Sequence, residues 1–139
     1  MLSIVRRSVI LIPGTGGRDN PDGAHLHVVL TDTCSSGCNL LVPICSVPSQ
    51  KKRRHDRTCL VGIGDHEFLK HPSYVAYYRM RHYSETVLLK HIHDKYFEMR
   101  DPLDERVFAL VCAGIGRSDE SAPRYQRYFA TGVLNENNA

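Results

Sequence analysis

The chain lacks any long apolar run, and this absence argues against a membrane protein. None of its apolar segments approaches the roughly 18 residues that a helix needs to cross a bilayer. The N-terminal segment MLSIVRRSVILIPGTGG places arginines before an apolar stretch, as a signal peptide does, but the stretch is short and no small-residue cleavage site follows. We therefore interpret SVILIP as the first β-strand, and we expect a cytoplasmic protein with no membrane association.

The sequence also lacks the pattern of a disulfide framework or of a zinc site. Its five cysteines are odd in number, and no signal peptide is indicated, so a set of paired disulfides is not expected. Cys34 and Cys38 form a C-x3-C pair, to which Cys45, His55 or Cys59 would have to add further ligands. This spacing fits no standard zinc pattern, so we expect reduced thiols and no bound metal.

Motifs for cofactors are incomplete. GTGG is not followed by Lys-Ser or Lys-Thr and is therefore not a phosphate-binding P-loop. GAHLH resembles the metal-binding strand of cupins, but no glutamate follows at the expected offset. HLHV and HPSY resemble the paired H-x-[ST]-x motifs of two-histidine phosphoesterases, although HLHV has histidine at the hydroxyl position. No cofactor is predicted, and a histidine-ligated metalloenzyme remains an open alternative.

The composition is that of an ordinary globular protein, but basic residues are concentrated in one segment. A length of 139 residues favours a single domain over 1–139, with 42% hydrophobic and 24% charged residues. The net charge of +3 does not by itself imply nucleic acid. The segment KKRRHDR is strongly basic, however, and follows turn-forming residues. It is either a solvated loop or a phosphate-binding loop that includes Lys51, Lys52, Arg53 and Arg54.

The spacing of hydrophobic residues along the sequence divides the chain into a strand-rich part and a helical part. Strands are predicted within 5–80, namely 8–13, 25–32, 39–47, 57–64 and 73–79. Turn formers separate them, which favours a small barrel or a strongly twisted sheet. Helices are predicted within 84–130, because Val87, Leu88, Ile92 and Tyr96 form a stripe at helical spacing after Ser84.

A second helix is indicated by DPLDERVFALVCAGIG. Asp101 is expected to cap it, and Gly114 or Gly116 to end it. Its core-facing residues are predicted to be Leu103, Val107, Val111 and Ile115. A short last helix is predicted over 121–129.

The order of these segments resembles the PemK/MazF toxin family. The resemblance spans roughly 5–130 and is carried by HLHVVLTD, LVPICSV and HPSYVAYYR, followed by terminal helices. It implies an SH3-like barrel with C-terminal helices. It also implies a metal-independent endoribonuclease of a toxin–antitoxin module, with RNA, an antitoxin protein and a second copy of the chain as partners. LVPICSV is similar to the family strand that contributes an active-site threonine, which places Cys45 or Ser46 at that position.

Metal-free RNA cleavage needs a base, an acid and a cation, and the sequence offers all three. His25 and His27 share one face of a strand and suit both proton-transfer roles. Arg79 and Arg81 also share a face if their strand continues, and either can supply the cation. His66 and His71 lie in the turn before that strand.

The candidate catalytic residues are therefore His25, His27, Cys45, Ser46 and Arg79. The candidate RNA-binding residues are Lys51, Lys52, Arg53, Arg54, Arg81 and Tyr77. We predict a small β-barrel that binds and cleaves single-stranded RNA. A non-catalytic module of the same fold, binding nucleic acid or a protein, is the alternative.

Overall fold

The computed structural model describes residues 3–14, 23–49 and 54–135. The strands in these ranges are β1 (Val9–Ile12), β2 (His25–Val29), β3 (Cys38–Ser46), β4 (Leu60–Val61), β5 (Ser73–Val75), β6 (Arg81–Ser84) and β7 (Glu98–Arg100). The helices are α1 (Glu85–His93), α2 (Glu105–Arg117) and α3 (Pro123–Thr131), and a 3₁₀ turn covers Tyr77–Arg79. The prediction of a mainly β, α+β protein with C-terminal helices is confirmed.

All strand pairs are antiparallel, and the described strands form one open sheet in the order β4-β5-β3-β2-β1-β7. Strand β3 organises this sheet because it is nine residues long. One of its edges pairs with β2. Its other edge pairs with β6 along the first half and with β5 along the last three residues.

The two faces of the sheet are covered by different helices. Alternate residues of β1, β2 and β3 point to opposite faces, as expected for a strand period of two. One face packs against α2 and α3, in a core that contains Val9, Val28, Val42, Val111 and Tyr128. The other face packs against α1, in a smaller core that contains Ile10, Val29, Leu41, Leu88 and Phe97. A third, small cluster of Cys45, Tyr74 and Ala76 is buried beside β3 and β5.

The helix ends confirm one sequence prediction and correct another. Ser84 caps α1 as predicted, because its Oγ accepts a hydrogen bond from the Val87 amide. In α2 the cap is Asp104 and not Asp101, since the Asp104 carboxylate accepts from the Arg106 and Val107 amides. Leu103 therefore precedes the helix, and its amide donates to the Arg7 carbonyl oxygen.

The predicted core stripe holds for α2 and only in part for α1. Leu103, Val107, Val111 and Ile115 are all buried. In contrast, Val87 and Tyr96 are 46% and 56% exposed, and Leu88 is the fully buried residue of α1. The prediction that Gly114 or Gly116 ends α2 was wrong, since the helix continues to Arg117. Gly114 lies inside the helix. A glycine is needed at this position because the Tyr77 ring packs against the helix backbone and leaves no space for a Cβ atom.

Three strand predictions need correction. The predicted strand 73–79 ends at Val75 and gives way to the 3₁₀ turn, so Arg79 and Arg81 do not lie on one continuous strand. The predicted strand 57–64 shrinks to Leu60–Val61 because a turn begins at Gly62 and includes Gly64 at φ +97°. The edge strand β7 was not predicted, since three residues are too few to show alternation.

No helix in the described ranges has both the length and the apolar character required to cross a bilayer.

Candidate functional site

A cleft of about 750 Å³ opens at one end of the sheet, where the loop before β5 faces the ends of several strands. We call it the sheet-end cleft. Its polar side chains are supplied by four strand ends and this loop. They are His25, Ser46, Glu67, Lys70, His71, Ser73 and Arg100. The first residue of β2, the last residues of β3 and β7 and the first residue of β5 therefore converge there.

His66 holds the loop against the rest of the protein. It is 8% exposed. Its Nδ1 lies 3.1 Å from the Phe68 amide, and its Nε2 lies 2.8 Å from the Asp101 carbonyl oxygen. These partners require Nδ1 to accept and Nε2–H to donate, which is one defined neutral tautomer. His66 is therefore a structural residue that fixes the loop to the segment before α2.

Two cations line the sheet-end cleft. Lys70 comes from the loop, and Arg100 comes from the end of β7. The Arg100 guanidinium carbon lies 5.0 Å from the centroid of the Phe68 ring, and its Nη2 lies 3.6 Å from the Glu98 carboxylate. Its Nε is buried and has no hydrogen-bond partner within the described residues. An anionic oxygen bound in the cleft would supply a partner for that donor.

Two histidines, two serines and Glu67 complete the polar lining. His25 is partly buried at the start of β2, whereas His71 is exposed on the loop. The Ser73 hydroxyl donates to the His71 carbonyl oxygen at 2.9 Å, which fixes the loop backbone beside the imidazole. Ser46 lies opposite Ser73 in the β3–β5 register. The cleft thus holds two groups that can transfer protons and two groups that can neutralise a phosphate.

His27, the other histidine of the HLH segment, is not in this cleft. It is 3% exposed, and its Nδ1–H donates to the His25 carbonyl oxygen at 3.0 Å. Burial lowers the pKa of His27 from 6.5 to about 4, and the nearby Arg79 acts in the same direction. The imidazole is therefore neutral at pH 7 and shielded from ligands.

The burial of His27 predicts a pH dependence of stability that a glutamine variant should remove. The unfolded chain binds this proton near pH 6.5 and the folded protein only near pH 4. Stability is therefore complete above pH 6.5 and falls as the pH drops through this window, by about 3 kcal/mol in the limit. Denaturant unfolding at several pH values should show this slope in the wild type and in His93→Gln, whose histidine is exposed. A slope unchanged in His27→Gln would contradict the assignment.

Cys45 and Arg79 lie together on the opposite face of the β3–β5 ladder. The Arg79 Nη1 is 3.7 Å from the Cys45 Sγ. Burial raises the pKa of the Cys45 thiol, although the guanidinium of Arg79 opposes this change. The thiol is therefore protonated at neutral pH, and it is a poor nucleophile.

The predicted RNA-binding residues are spread over several places. Arg54 lines a second cavity, described below, while 51–53 fall outside the described residues. The Arg81 guanidinium donates to the carbonyl oxygens of Met80 and Tyr78. Tyr77 is a core residue and not a surface platform, because it is 1% exposed and its hydroxyl donates to the Val111 carbonyl oxygen at 2.7 Å.

The second cavity has a volume of about 270 Å³, and one of its lining residues, Tyr74, is the strand partner of Cys45. We call it the tyrosine pocket. Its lining residues come from the segment after the basic loop, from β5 and the 3₁₀ turn, and from the turn between α2 and α3. They are Arg54, His55, Asp56, Tyr74, Tyr78 and Glu120. No local sequence pattern indicates this pocket, because its residues are up to 66 positions apart (120 − 54).

The structure thus separates the residues that the sequence grouped together. His25 and Ser46 line the sheet-end cleft, whereas Cys45 and Arg79 lie across the sheet from it. Lys70 and Arg100, which sequence reasoning missed, join His25 in the cleft. Lys70 lies in a segment whose residue types are those of an ordinary turn. Arg100 lines the cleft only because β7 pairs with β1.

No family model matches this chain, and no curated protein is significantly similar to it. Among residues 3–14, 23–49 and 54–135, no group of three His, Cys, Asp or Glu side chains is placed to hold a metal ion.

Proposed function

We propose that the chain is a metal-independent endoribonuclease that binds single-stranded RNA in the sheet-end cleft. The observation that supports this proposal is the convergence of His25, His71, Lys70 and Arg100 on one cavity. Two imidazoles can serve as base and acid, while two cations can hold the phosphate between them. The resemblance to PemK/MazF proteins, in strand order and in the terminal helices, supports the same reaction class.

The proposed reaction is an internal transphosphorylation. One imidazole removes the proton of the ribose 2′-OH, and the 2′-oxygen attacks the adjacent phosphorus. The bond from phosphorus to the 5′-oxygen breaks, and the other imidazole gives that oxygen a proton. The products are a 2′,3′-cyclic phosphate and a 5′-hydroxyl, so no outside reactant is needed.

Four residues of the cleft have definite parts in this scheme. His25 is partly buried at a strand end and suits the base, which must approach the ribose. His71 is exposed on the loop and suits the acid, because the departing strand leaves toward solvent. Lys70 and Arg100 stabilise the negative charge that develops on the phosphoryl oxygens, and the Arg100 Nε is the donor that still needs a partner.

The proposal extends to the finer fold and to the partners. We propose that the fold is an SH3-like barrel of the PemK type. The long strand β3, which pairs with β2, β5 and β6, would be its central strand. An antitoxin protein and a homodimer are the partners implied by the same resemblance. A non-catalytic module that binds nucleic acid or a protein is the conclusion to adopt if the protein cleaves no RNA.

Cleavage of a long mixed-sequence RNA in EDTA tests the proposal. We expect the purified protein to cut this RNA and to leave 2′,3′-cyclic phosphate and 5′-hydroxyl ends. A preparation of the double variant Lys70→Ala/Arg100→Ala, purified in parallel, reveals any contaminating ribonuclease. Equal cleavage by both preparations, or products with 3′-hydroxyl ends, would count against the proposed site.

A further inference from the structure

The tyrosine pocket has the size and lining of a site for one nucleobase. Its volume of about 270 Å³ lies just below the range of about 300–1,000 Å³ found for pockets that hold drug-sized ligands. Aromatic rings form much of its wall. The rings of His55 and Tyr74 lie 5.2 Å apart, and Tyr78 is 51% exposed. An exposed tyrosine ring offers its face to a planar base.

The pocket contains two carboxylates, and only one of them is engaged. Asp56 is 8% exposed and accepts hydrogen bonds from the Thr58 amide at 2.9 Å and the Ser118 hydroxyl at 2.5 Å. The Glu120 backbone amide donates a hydrogen bond to the Ser118 hydroxyl oxygen at 3.1 Å. Its carboxylate makes no hydrogen bond or ion pair with any residue that the structure describes. Glu120 is thus positioned by its backbone while its two oxygens stay available.

The charges around the Glu120 carboxylate indicate which kind of ligand group it can bind. A carboxylate accepts hydrogen bonds only, through two adjacent oxygens. Burial raises the pKa of Glu120, and the neighbouring Asp56 and Asp119 carboxylates act in the same direction. A ligand that donates two parallel N–H groups would relieve this crowding of negative charge. Arg54 lies at the same pocket and is suited to the phosphate attached to such a ligand.

Guanine is the standard base that fits these requirements. Its Watson–Crick edge presents N1–H and N2–H side by side, so both can donate to one carboxylate. Adenine and cytosine each present one amino group beside a ring nitrogen that accepts, and uracil presents one N–H between two carbonyl oxygens. An accepting atom directed at Glu120 would face a negative charge without a proton between them.

The pocket and the sheet-end cleft are lined by adjacent residues of β5, since Tyr74 lines the pocket and Ser73 lines the cleft. Cys45 pairs with Tyr74 on the side of the pocket, and the next residues, Ser46 and Ser73, pair on the side of the cleft. The sheet ends there in β4, a strand of two residues. An RNA strand that passes around this short edge can place a phosphate in the cleft and a nearby base in the pocket.

We propose that the tyrosine pocket binds a guanine base, stacked on Tyr78 and paired through Glu120, next to the phosphate that is cleaved. This inference rests on the proposed function for its substrate, RNA. The base site itself can be tested without cleavage, because a mononucleotide has no phosphodiester bond to cut.

Binding of the four ribonucleoside monophosphates to the full-length protein, measured by calorimetry, is the first test. We expect GMP to bind about 5- to 100-fold more tightly than AMP, CMP or UMP. Glu120→Gln should abolish this preference, because an amide replaces one acceptor by a donor. Tyr78→Ala should weaken GMP binding by about 5- to 100-fold through loss of stacking. Equal binding of all four nucleotides, or no GMP binding at millimolar concentration, would overturn the proposal.

Matched variants separate these effects from general damage. Asp119→Asn removes the neighbouring carboxylate, which does not line the pocket, and should keep the GMP preference. Tyr96→Ala removes a tyrosine that is 56% exposed elsewhere and should leave binding unchanged. A preference that survives Glu120→Gln would refute the role of this carboxylate.

Mapping of cut sites on a mixed-sequence RNA is the second test. Wild-type protein should cut beside guanosine, and the cuts made by Glu120→Gln should be spread over all four nucleotides. Cleavage without a guanosine bias and without GMP binding would overturn this inference and leave the proposed function intact. GMP binding without cleavage would support the guanine site and overturn the ribonuclease. GMP binding with unbiased cleavage would assign the pocket to free guanine nucleotides and overturn its role in RNA recognition.

Discussion

Replacing His71 with alanine should slow RNA cleavage by about 10²- to 10⁴-fold, and His25→Ala should have an effect of similar size. Both imidazoles line the cleft that also contains Lys70 and Arg100, and the proposed reaction uses each for one proton transfer. Single-turnover cleavage rates in EDTA, measured across a range of pH, give the direct comparison. The wild-type rate should pass through a maximum with pH, because one imidazole must be neutral and the other protonated.

Two controls make the histidine result specific. His93→Ala removes a histidine of α1 whose side chain is 89% exposed, and it should leave the rate unchanged. Added imidazole should restore part of the activity of His71→Ala, since a merely structural defect would not respond to it. Full activity in either alanine variant of the cleft would remove that histidine from the mechanism.

Gly114→Ala should destabilise the fold by about 3–5 kcal/mol, because α2 and the Tyr77 ring leave no space for a methyl group. A Cβ on Gly114 would overlap the Tyr77 Oη and would lie 2.6 Å from Cζ. The ring can move aside only by giving up its hydrogen bond to the Val111 carbonyl oxygen. Tyr77 is 1% exposed, so its displaced hydroxyl would remain buried without a partner.

The matched control is Gly116→Ala, two residues further along the same helix. A Cβ there meets no atom within 4 Å, so alanine should stabilise the protein by about 0.5–1 kcal/mol through its higher helix propensity. Denaturant unfolding of the two variants should therefore shift in opposite directions. Similar stability of Gly114→Ala and wild type would show that Tyr77 does not occupy the described position.

Local residue patterns were sufficient to predict much of the fold. The apolar run around LLVPICS is long enough to be a central strand, and it became β3, which is buried along nearly its whole length. Ser84 and the residues Leu103, Val107, Val111 and Ile115 were predicted correctly, because capping and helical periodicity depend on neighbours within a few positions. The short edge strands β6 and β7 were not predicted, since three or four residues carry too little pattern.

The candidate site was less predictable, for a physical reason that His25 and His27 illustrate. Strand alternation places His25 and His27 on the same face of β2, but it does not say which residues of other elements cover that face at each position. Tyr83 and the Arg79 region cover His27, and burial then lowers its pKa. His25, two residues earlier, lies at the strand end and reaches the sheet-end cleft.

Residue type and short-range spacing were enough to predict the strand-rich first part, the helices that follow it and the supply of histidines and cations. Which of these groups meet depends on how the strands pair and how the helices pack. Pairing of β7 with β1 brings Arg100 to the same cleft as His25, Lys70 and His71. The turn after α2 brings Glu120 to Tyr78, across 42 positions (120 − 78). Such contacts follow from strand register and from helix packing across the sheet, which no local pattern records.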